Sequence, residues 1–184
     1  MTVRHAVVLG GGRSSRMGAD KLALRLEGES LLARACAAAL TFADHVVVAG
    51  PEREGVPDGI SFVREDPPFS GPAAGLAAAL DALPAGDEVL VLAGDLALPQ
   101  SAVDLLAAEA LEGDGVVLRD EEGWLQYLCG RYRQEPLTRA LAGDVRDVAV
   151  RRLLGPLNLA ILSAPKSVTE DLDTPGQAQR LGAE

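Results

Sequence analysis

A glycine-rich segment near the start of the chain carries several positive charges. Residues 10–12 are all glycine, and Arg13, Arg16 and Lys21 follow within a short stretch. Glycine lets backbone amides approach an anion because no Cβ intervenes, and successive inward-pointing amides form an anion-binding concavity. The three cations would neutralise charge that the amides alone do not balance. The segment therefore predicts a phosphate-binding loop, with a solvated glycine loop as the alternative.

The same segment does not match the two most familiar phosphate loops. The Walker pattern needs Gly-Lys followed by Ser or Thr, whereas Gly18 is followed by Ala19, Asp20 and Lys21. The dinucleotide pattern needs a third glycine at the position that Ser15 occupies. A different kind of phosphate site is therefore predicted.

A single aspartate follows another apolar run. Asp95 comes after EVLVLA (88–93) and Gly94, at the carboxyl end of a predicted strand. Ligands of parallel α/β sheets sit at these strand ends, and a carboxylate there is costly unless it meets a cation or water. The alternative role, capping of the helix predicted for 100–111, suits Pro99 and Ser101 better.

Composition limits the class of protein. The net charge of −10 argues against nucleic acid as a partner. No apolar run approaches the ~20 residues of a membrane span, and the first residues do not resemble a secretory signal. Cys36 and Cys129 are isolated in the sequence, which indicates buried, reduced thiols. We therefore expect a cytoplasmic protein with no membrane association.

The order of apolar segments predicts an α/β fold. Alternating strands and helices favour a single-domain, Rossmann-like, mostly parallel twisted sheet with helices on both faces, and we expect one domain over 1–184. The predicted strands are 3–9, 45–49, 60–64, 88–93, 116–119, 124–132 and 158–162. The predicted helices are 30–42, 71–83, 100–111, 136–141 and 145–154, with a short final helix after 175.

Residues 9–21, LGGGRSSRMGADK, resemble the signature of the molybdenum cofactor guanylyltransferases, the MobA-like nucleotidyltransferases. The family usually has alanine where Gly10 stands. GPAAGL (71–76) resembles the family's Gly-Pro-Leu-Ala-Gly-Leu, and DLDTP (171–175) resembles its closing motif. The resemblance extends along nearly the whole chain and implies a fold of the nucleotide-diphospho-sugar transferase type.

The resemblance also implies an activity: Mg²⁺-dependent transfer of GMP from GTP to the molybdopterin cofactor, with release of pyrophosphate. It assigns Lys21 to the phosphate charge that builds up on transfer, Arg16 to the departing pyrophosphate and Asp95 to Mg²⁺. Asp66 would help to bind the guanine nucleotide, or else is a solvated loop carboxylate. Molybdenum-cofactor insertion or delivery proteins are further candidate partners. The implied nucleotide-binding residues are Leu9, Gly10, Gly11, Gly12, Arg13, Lys21, Asp66 and Asp95.

Several positions leave alternatives open. Ala97 and Tyr127 stand where the family usually has proline, and Tyr127 lies in the region that meets the pterin. Trp124 is either a core residue or a ring that stacks near the pterin. Either one of Asp171 and Asp173 reaches the metal or the second substrate, or Asp173 or Thr174 is the N-cap of the final helix.

The alternative activities are cytidylyl transfer to molybdopterin, sugar-phosphate nucleotidyl transfer, and nucleotide binding by a non-catalytic accessory protein. The glycines at 10–12 and the 71–75 motif favour GTP over CTP. A sugar-phosphate nucleotidyltransferase would usually need a longer chain. Lys21 and Asp95 are both present, which a decayed site need not retain.

Overall fold

A mixed sheet of seven strands forms the centre of the computed structural model, which describes residues 1–11 and 20–170. The strands are β1 Arg4–Leu9, β2 Arg25–Leu26, β3 Glu29–Ser30, β4 His45–Ala49, β5 Ser61–Val63, β6 Glu88–Ala93, β7 Gly115–Arg119, β8 Leu125–Arg133 and β9 Leu159–Ser163. The α-helices are α1 Leu31–Leu40, α2 Pro72–Ala82, α3 Pro99–Ala108, α4 Gln134–Ala140, α5 Val150–Leu154 and α6 Lys166–Thr169.

The sheet is mostly parallel, which confirms the predicted class. Its strand order is β5-β4-β1-β6-β8-β7-β9, with β2 and β3 forming a separate hairpin. The first four strands of this order run parallel, as helical crossovers require. β8 is antiparallel to both of its neighbours, β6 and β7. The carboxyl ends of β5, β4, β1 and β6 therefore meet the amino end of β8 at one edge of the sheet.

Helices cover both faces of the sheet, as the sequence predicts. Successive side chains of a strand point to opposite faces, so Val8 packs with α1 and α3 in one buried cluster. Its neighbour Val7 packs with α2, α4 and α5 in the other. Cys36 and Cys129 are free and buried in the first cluster, in agreement with the prediction. Within the described ranges, no helix is long and apolar enough to cross a membrane.

The second half of the chain differs from the prediction at two helices, since α6, Lys166–Thr169, was not predicted and a predicted helix is shorter than expected. The segment 145–154 was expected to be helical throughout, but only Val150–Leu154 forms a helix. Asp147 has a φ of 55°, which a continuous right-handed helix does not allow. Its amide donates instead to the Ser70 carbonyl at 2.8 Å. This bond ties the 143–149 segment to the loop that precedes α2.

Candidate active site

Three parallel strands end close together at the carboxyl edge of the sheet. The Gly10 amide donates to the Ala49 carbonyl at 2.9 Å, and the Gly94 amide donates to the Leu9 carbonyl at 3.0 Å. A Cβ on Gly50 would lie 2.5 Å from the carbonyl carbon and oxygen of Gly10. Only glycine at position 50 allows this approach, because both contacted atoms belong to the backbone. Leu9, Gly10 and Gly11 thus lie at the predicted edge.

Lys21 and Asp95 are 74 residues apart in sequence and in direct contact in the structure. Lys21 Nζ donates to Asp95 Oδ2 at 2.6 Å. The two side chains are 17% and 23% exposed, so the pair is shielded but open to solvent on one side. Asp95 follows β6 directly after Gly94. The structure therefore brings together the two residues on which the predicted phosphate site depends.

Local structure explains how Lys21 is placed. It begins a short 3₁₀ helix, Lys21–Ala23, and Asp20 is the N-cap of that helix. Asp20 Oδ1 accepts a hydrogen bond from the Leu22 amide at 3.3 Å. An N-cap carboxylate of this kind satisfies an amide that has no partner within the helix. The Asp-Lys pair of the sequence is thus a capping residue followed by the residue that it positions.

Asp95 has no capping role, so that alternative is wrong. The helix that follows, α3, has Leu98 as its N-cap and no side-chain cap hydrogen bond. The Asp95 carboxylate instead faces the ammonium of Lys21.

Asp95 is the described residue of this site that could hold a metal ion. Among residues 1–11 and 20–170, no cluster of three or more His, Cys, Asp or Glu side chains could hold a metal ion. Mg²⁺ binds proteins through one or two carboxylates and completes its shell with water and phosphate oxygens. Asp95 matches this requirement because its carboxylate lies at the open edge of the sheet.

Arg53 is a positively charged residue near this site that the sequence analysis missed. It lies in the loop after β4, and its guanidinium pairs with Asp20 Oδ2. Among the described residues, its buried Nε has no hydrogen-bond partner. Arg53 therefore braces the residue that caps the Lys21 helix. Its position after a parallel strand was the signal available in the sequence, because such loops open at the ligand-binding edge.

Asp66 lies at the same edge, on the loop after β5, and is exposed. Its neighbour Glu65 is half-buried and turns inward. Glu65 Oε1 accepts from the Phe69 amide at 2.8 Å. Glu65 Oε2 lies 3.8 Å from the position that a Cβ on Gly75 would take. Asp66 is therefore the carboxylate of this pair that is open to solvent, and its nucleotide role stays a prediction.

A cavity of about 230 Å³ lies beside Asp95, and we call it the β8 cavity. Ala93 and Leu96, which flank Gly94 and Asp95, form one wall. The full lining consists of Ala93, Leu96, Leu125, Gln126, Tyr127, Leu128, Cys129, Val150 and Thr169. Tyr127, one of the departures from the family pattern, is thus a cavity residue. The cavity is mainly apolar, which suits a flat organic ring more than a phosphate.

Trp124 stands at the outer end of the β7–β8 hairpin and is 64% exposed, so its assignment to the core is wrong. Its amide donates to Asp120 Oδ1 at 2.8 Å, and its carbonyl accepts from the Asp120 amide at 3.0 Å. The turn holds the ring outside the sheet. Stacking on a pterin stays a prediction.

Several predicted residues lie outside the part of the chain that the structure describes. They are Gly12, Arg13, Arg16, Asp171 and Asp173, together with the final helix. Their roles remain predictions. The described members of the predicted set are Leu9, Gly10, Gly11, Lys21, Asp66 and Asp95, all at the carboxyl edge of the parallel strands.

Solved structures with the same fold include nucleotidyltransferases. A nucleotidyl transferase from Methanothermobacter superposes with a TM-score of 0.74 at 25% identity, covering 97% of this chain and 95% of that one. The molybdopterin-guanine dinucleotide biosynthesis protein A of Archaeoglobus fulgidus superposes with a TM-score of 0.65 at 19% identity, covering 97% and 96%. The second likeness shows the fold alone.

Comparisons of the amino-acid sequence identify the family as well as the fold. A probable molybdenum cofactor guanylyltransferase of Synechococcus elongatus is 38% identical over 141 residues, which is 70% of this chain and 71% of that protein. The family model for the MobA-like NTP transferase domain matches residues 6–160. The chain therefore belongs to the MobA-like NTP transferase family and is a nucleotidyltransferase.

Proposed function

We propose that this protein transfers GMP from GTP to the molybdopterin cofactor. A terminal phosphate oxygen of the cofactor attacks the α-phosphorus of GTP, the bond to the β-phosphate oxygen breaks, and pyrophosphate leaves. The product is molybdopterin guanine dinucleotide. The 38% identity to a probable molybdenum cofactor guanylyltransferase supports this choice of substrates.

One observation carries the proposal: Lys21 Nζ and Asp95 Oδ2 meet at 2.6 Å beside the β8 cavity. At this edge of the sheet, an ammonium can bind the anionic triphosphate, and a carboxylate can bind the metal cation that accompanies it. The neighbouring cavity offers a separate, apolar place for the acceptor. The two substrates would thus meet at Asp95.

We assign the protein groups as follows. The amides of Gly11 and Gly12 bind phosphate oxygens, with Leu9 and Gly10 at the start of this loop, where the Gly10 amide is already bonded to the Ala49 carbonyl. Lys21 and Arg13 bind the triphosphate. Asp95 would hold Mg²⁺, which supplies positive charge to the phosphate oxygens when bound.

The remaining groups act on the two ends of GTP. Arg16 neutralises the departing pyrophosphate, because charge accumulates there as the bond breaks. Asp66 accepts hydrogen bonds from the guanine edge or from the ribose. No side-chain nucleophile is needed, because the acceptor already carries an anionic oxygen. Catalysis then consists of positioning and charge stabilisation.

The direct test is pyrophosphate release from GTP, CTP and ATP with molybdopterin and Mg²⁺. We expect GTP to be preferred and Asp95→Asn to abolish turnover while the circular dichroism spectrum stays unchanged. Asparagine keeps the size of the side chain and removes the charge that holds the metal. A preference for CTP would contradict the guanylyl assignment, and full activity of Asp95→Asn would remove this residue from the site.

A further inference from the structure

The strand β8 is irregular where it lines the β8 cavity. Val117 of β7 pairs with Gly130, but the next residue, Leu118, pairs with Gln126. On the other side of β8, the pairing with β6 ends at Cys129. Residues 127 and 128 therefore have no paired residue in either neighbouring strand. Such a bulge redirects side chains, and residues 126–129 all line the cavity.

A buried hydroxyl bonds to the backbone within this bulge. Tyr132 Oη donates to the Tyr127 carbonyl at 2.7 Å, and Tyr132 is 0% exposed. Burial raises the pKa of Tyr132 well above its ordinary value, so the hydroxyl keeps its proton and acts as a donor. The bond gives a partner to the carbonyl of a residue that is not paired in the register of either neighbouring strand. A buried carbonyl without such a bond would be costly.

Two glycines give the tyrosine ring its room. A Cβ on Gly130 would lie 3.0 Å from Tyr132 Cε2, and a Cβ on Gly115 would lie 2.9 Å from Tyr132 Cδ1. Residues 130 and 132 share one face of the strand. Because position 130 has no side chain, the ring lies back along β8 and its hydroxyl reaches residue 127. The glycines, the ring and the bulge form one unit.

We propose that Tyr132 is a positioning residue that sets the shape of the β8 cavity through the Tyr127 carbonyl. The inference rests on the proposed function, in which this cavity receives the molybdopterin acceptor. Tyr132 itself is not among the residues that line the cavity. It acts on acceptor binding and not on GTP, because the proposed nucleotide-binding residues follow β1, β5 and β6.

The test is Tyr132→Phe, which removes only the hydroxyl. We expect the KM for molybdopterin to rise about three- to ten-fold, the range that follows from the loss of one neutral hydrogen bond. The KM for GTP should change by less than about two-fold, because no GTP-binding group is altered. Thr41→Val is the matched control, since it removes the hydroxyl bond from Thr41 Oγ1 to the Ala38 carbonyl, also 2.7 Å long. Thr41 lies at the end of α1, near the opposite edge of the sheet, and we expect both KM values to stay at the wild-type level.

A second measurement reports on the mobility of the region around β8 and does not require catalytic turnover. Trp124, the single tryptophan, precedes β8 and is excited selectively at long wavelength. We expect lower fluorescence anisotropy of Trp124 in Tyr132→Phe and no change in Thr41→Val. The inference is supported if, in Tyr132→Phe, the anisotropy of Trp124 falls and the KM rises for molybdopterin but not for GTP.

Three results would overturn the inference: an unchanged molybdopterin KM, equal rises in both KM values, or loss of cooperative urea unfolding in Tyr132→Phe. The last two would show that the hydroxyl supports the whole sheet. Absence of GMP transfer by the wild-type protein would instead overturn the proposed function, so the two failures are distinguishable.

Discussion

Removal of the Lys21 ammonium should have opposite effects on metal binding and on catalysis. In the structure Asp95 is neutralised by Lys21 at 2.6 Å, so a metal ion must compete with this ammonium for the carboxylate. Lys21→Met keeps most of the side-chain length and removes the charge. We expect tighter metal binding in the absence of nucleotide, together with slower GMP transfer.

The size of the effect follows from the geometry. Two unit charges separated by 2.6 Å attract by about 1.6 kcal/mol in water and about 6 kcal/mol at an effective dielectric constant of ~20. The side chains are 17% and 23% exposed, so the value lies nearer the aqueous end. A charge-assisted hydrogen bond contributes about 1.5–3 kcal/mol net. A value of about 2 kcal/mol corresponds to a change in metal affinity of roughly 30-fold.

Mn²⁺ titration followed by electron paramagnetic resonance measures this affinity, with Mn²⁺ as a visible substitute for Mg²⁺. We expect the Kd to fall roughly 30-fold in Lys21→Met while the rate of GMP transfer falls by about 10²–10³, as for other lost electrostatic donors. Lys166→Met is the matched control, because Lys166 is the other lysine of the sequence and is exposed. Adding Asp95→Asn to Lys21→Met should remove the gain in Mn²⁺ affinity, because the carboxylate that binds the metal is then absent.

An unchanged Mn²⁺ Kd in Lys21→Met would refute this reasoning. An equal change in Lys166→Met would refute it as well, because the effect would then reflect net charge and not the contact with Asp95.

Four further predictions concern the surroundings of the site and the buried core. Arg53→Met should raise the KM for GTP a few-fold, because the cap of the Lys21 helix loses its brace, and Arg53→Lys should restore part of the loss; steady-state kinetics at fixed molybdopterin decides this. Gly50→Ala should lower the free energy of unfolding by about 1–3 kcal/mol, because its Cβ would lie 2.5 Å from backbone atoms. Gly75→Ala lies inside α2, where the nearest atom to the added Cβ is 3.5 Å away, so it should raise the free energy of unfolding by about 0.5–1 kcal/mol. Urea denaturation measures both changes, and a change of the same sign in Gly50→Ala and Gly75→Ala would contradict this reasoning. Burial raises the pKa of the Cys36 thiol to about 12, so iodoacetamide at pH 8 should label it far more slowly in the native protein than in urea, and equal rates would contradict its burial.

The sequence was sufficient for the central strands and for the placement of two distant residues at one edge of the sheet. The apolar runs 45–49 and 88–93 coincide with β4 and β6, because a strand buried on both faces leaves a continuous apolar signal. Lys21 and Asp95 were each expected at the carboxyl edge of the sheet, and the structure places them in contact. This could be foreseen because parallel strands all end at the same edge.

Features that depend on tertiary contacts could not be predicted in this way. Asp147 leaves the helical region where its amide meets the Ser70 carbonyl, and no local pattern encodes a partner so far along the chain. The Arg53–Asp20 pair joins two loops whose approach is fixed only by the order of β4 and β1. The sequence leaves Trp124 either as a core residue or as a ring near the pterin, whereas in the structure it lies just before β8, in a turn closed by Asp120.

The reversed direction of β8 brings the beginning of this strand to the edge at which the parallel strands end. In the proposed function, the loops that follow the parallel strands supply the nucleotide end of the site, whereas the acceptor end comes from the beginning of a strand that runs the other way. On this proposal, a change at residues 124–128 can alter the choice of acceptor without disturbing the nucleotide-binding residues that follow β1, β5 and β6. One scaffold can in this way exchange its second substrate while it keeps its nucleotide chemistry.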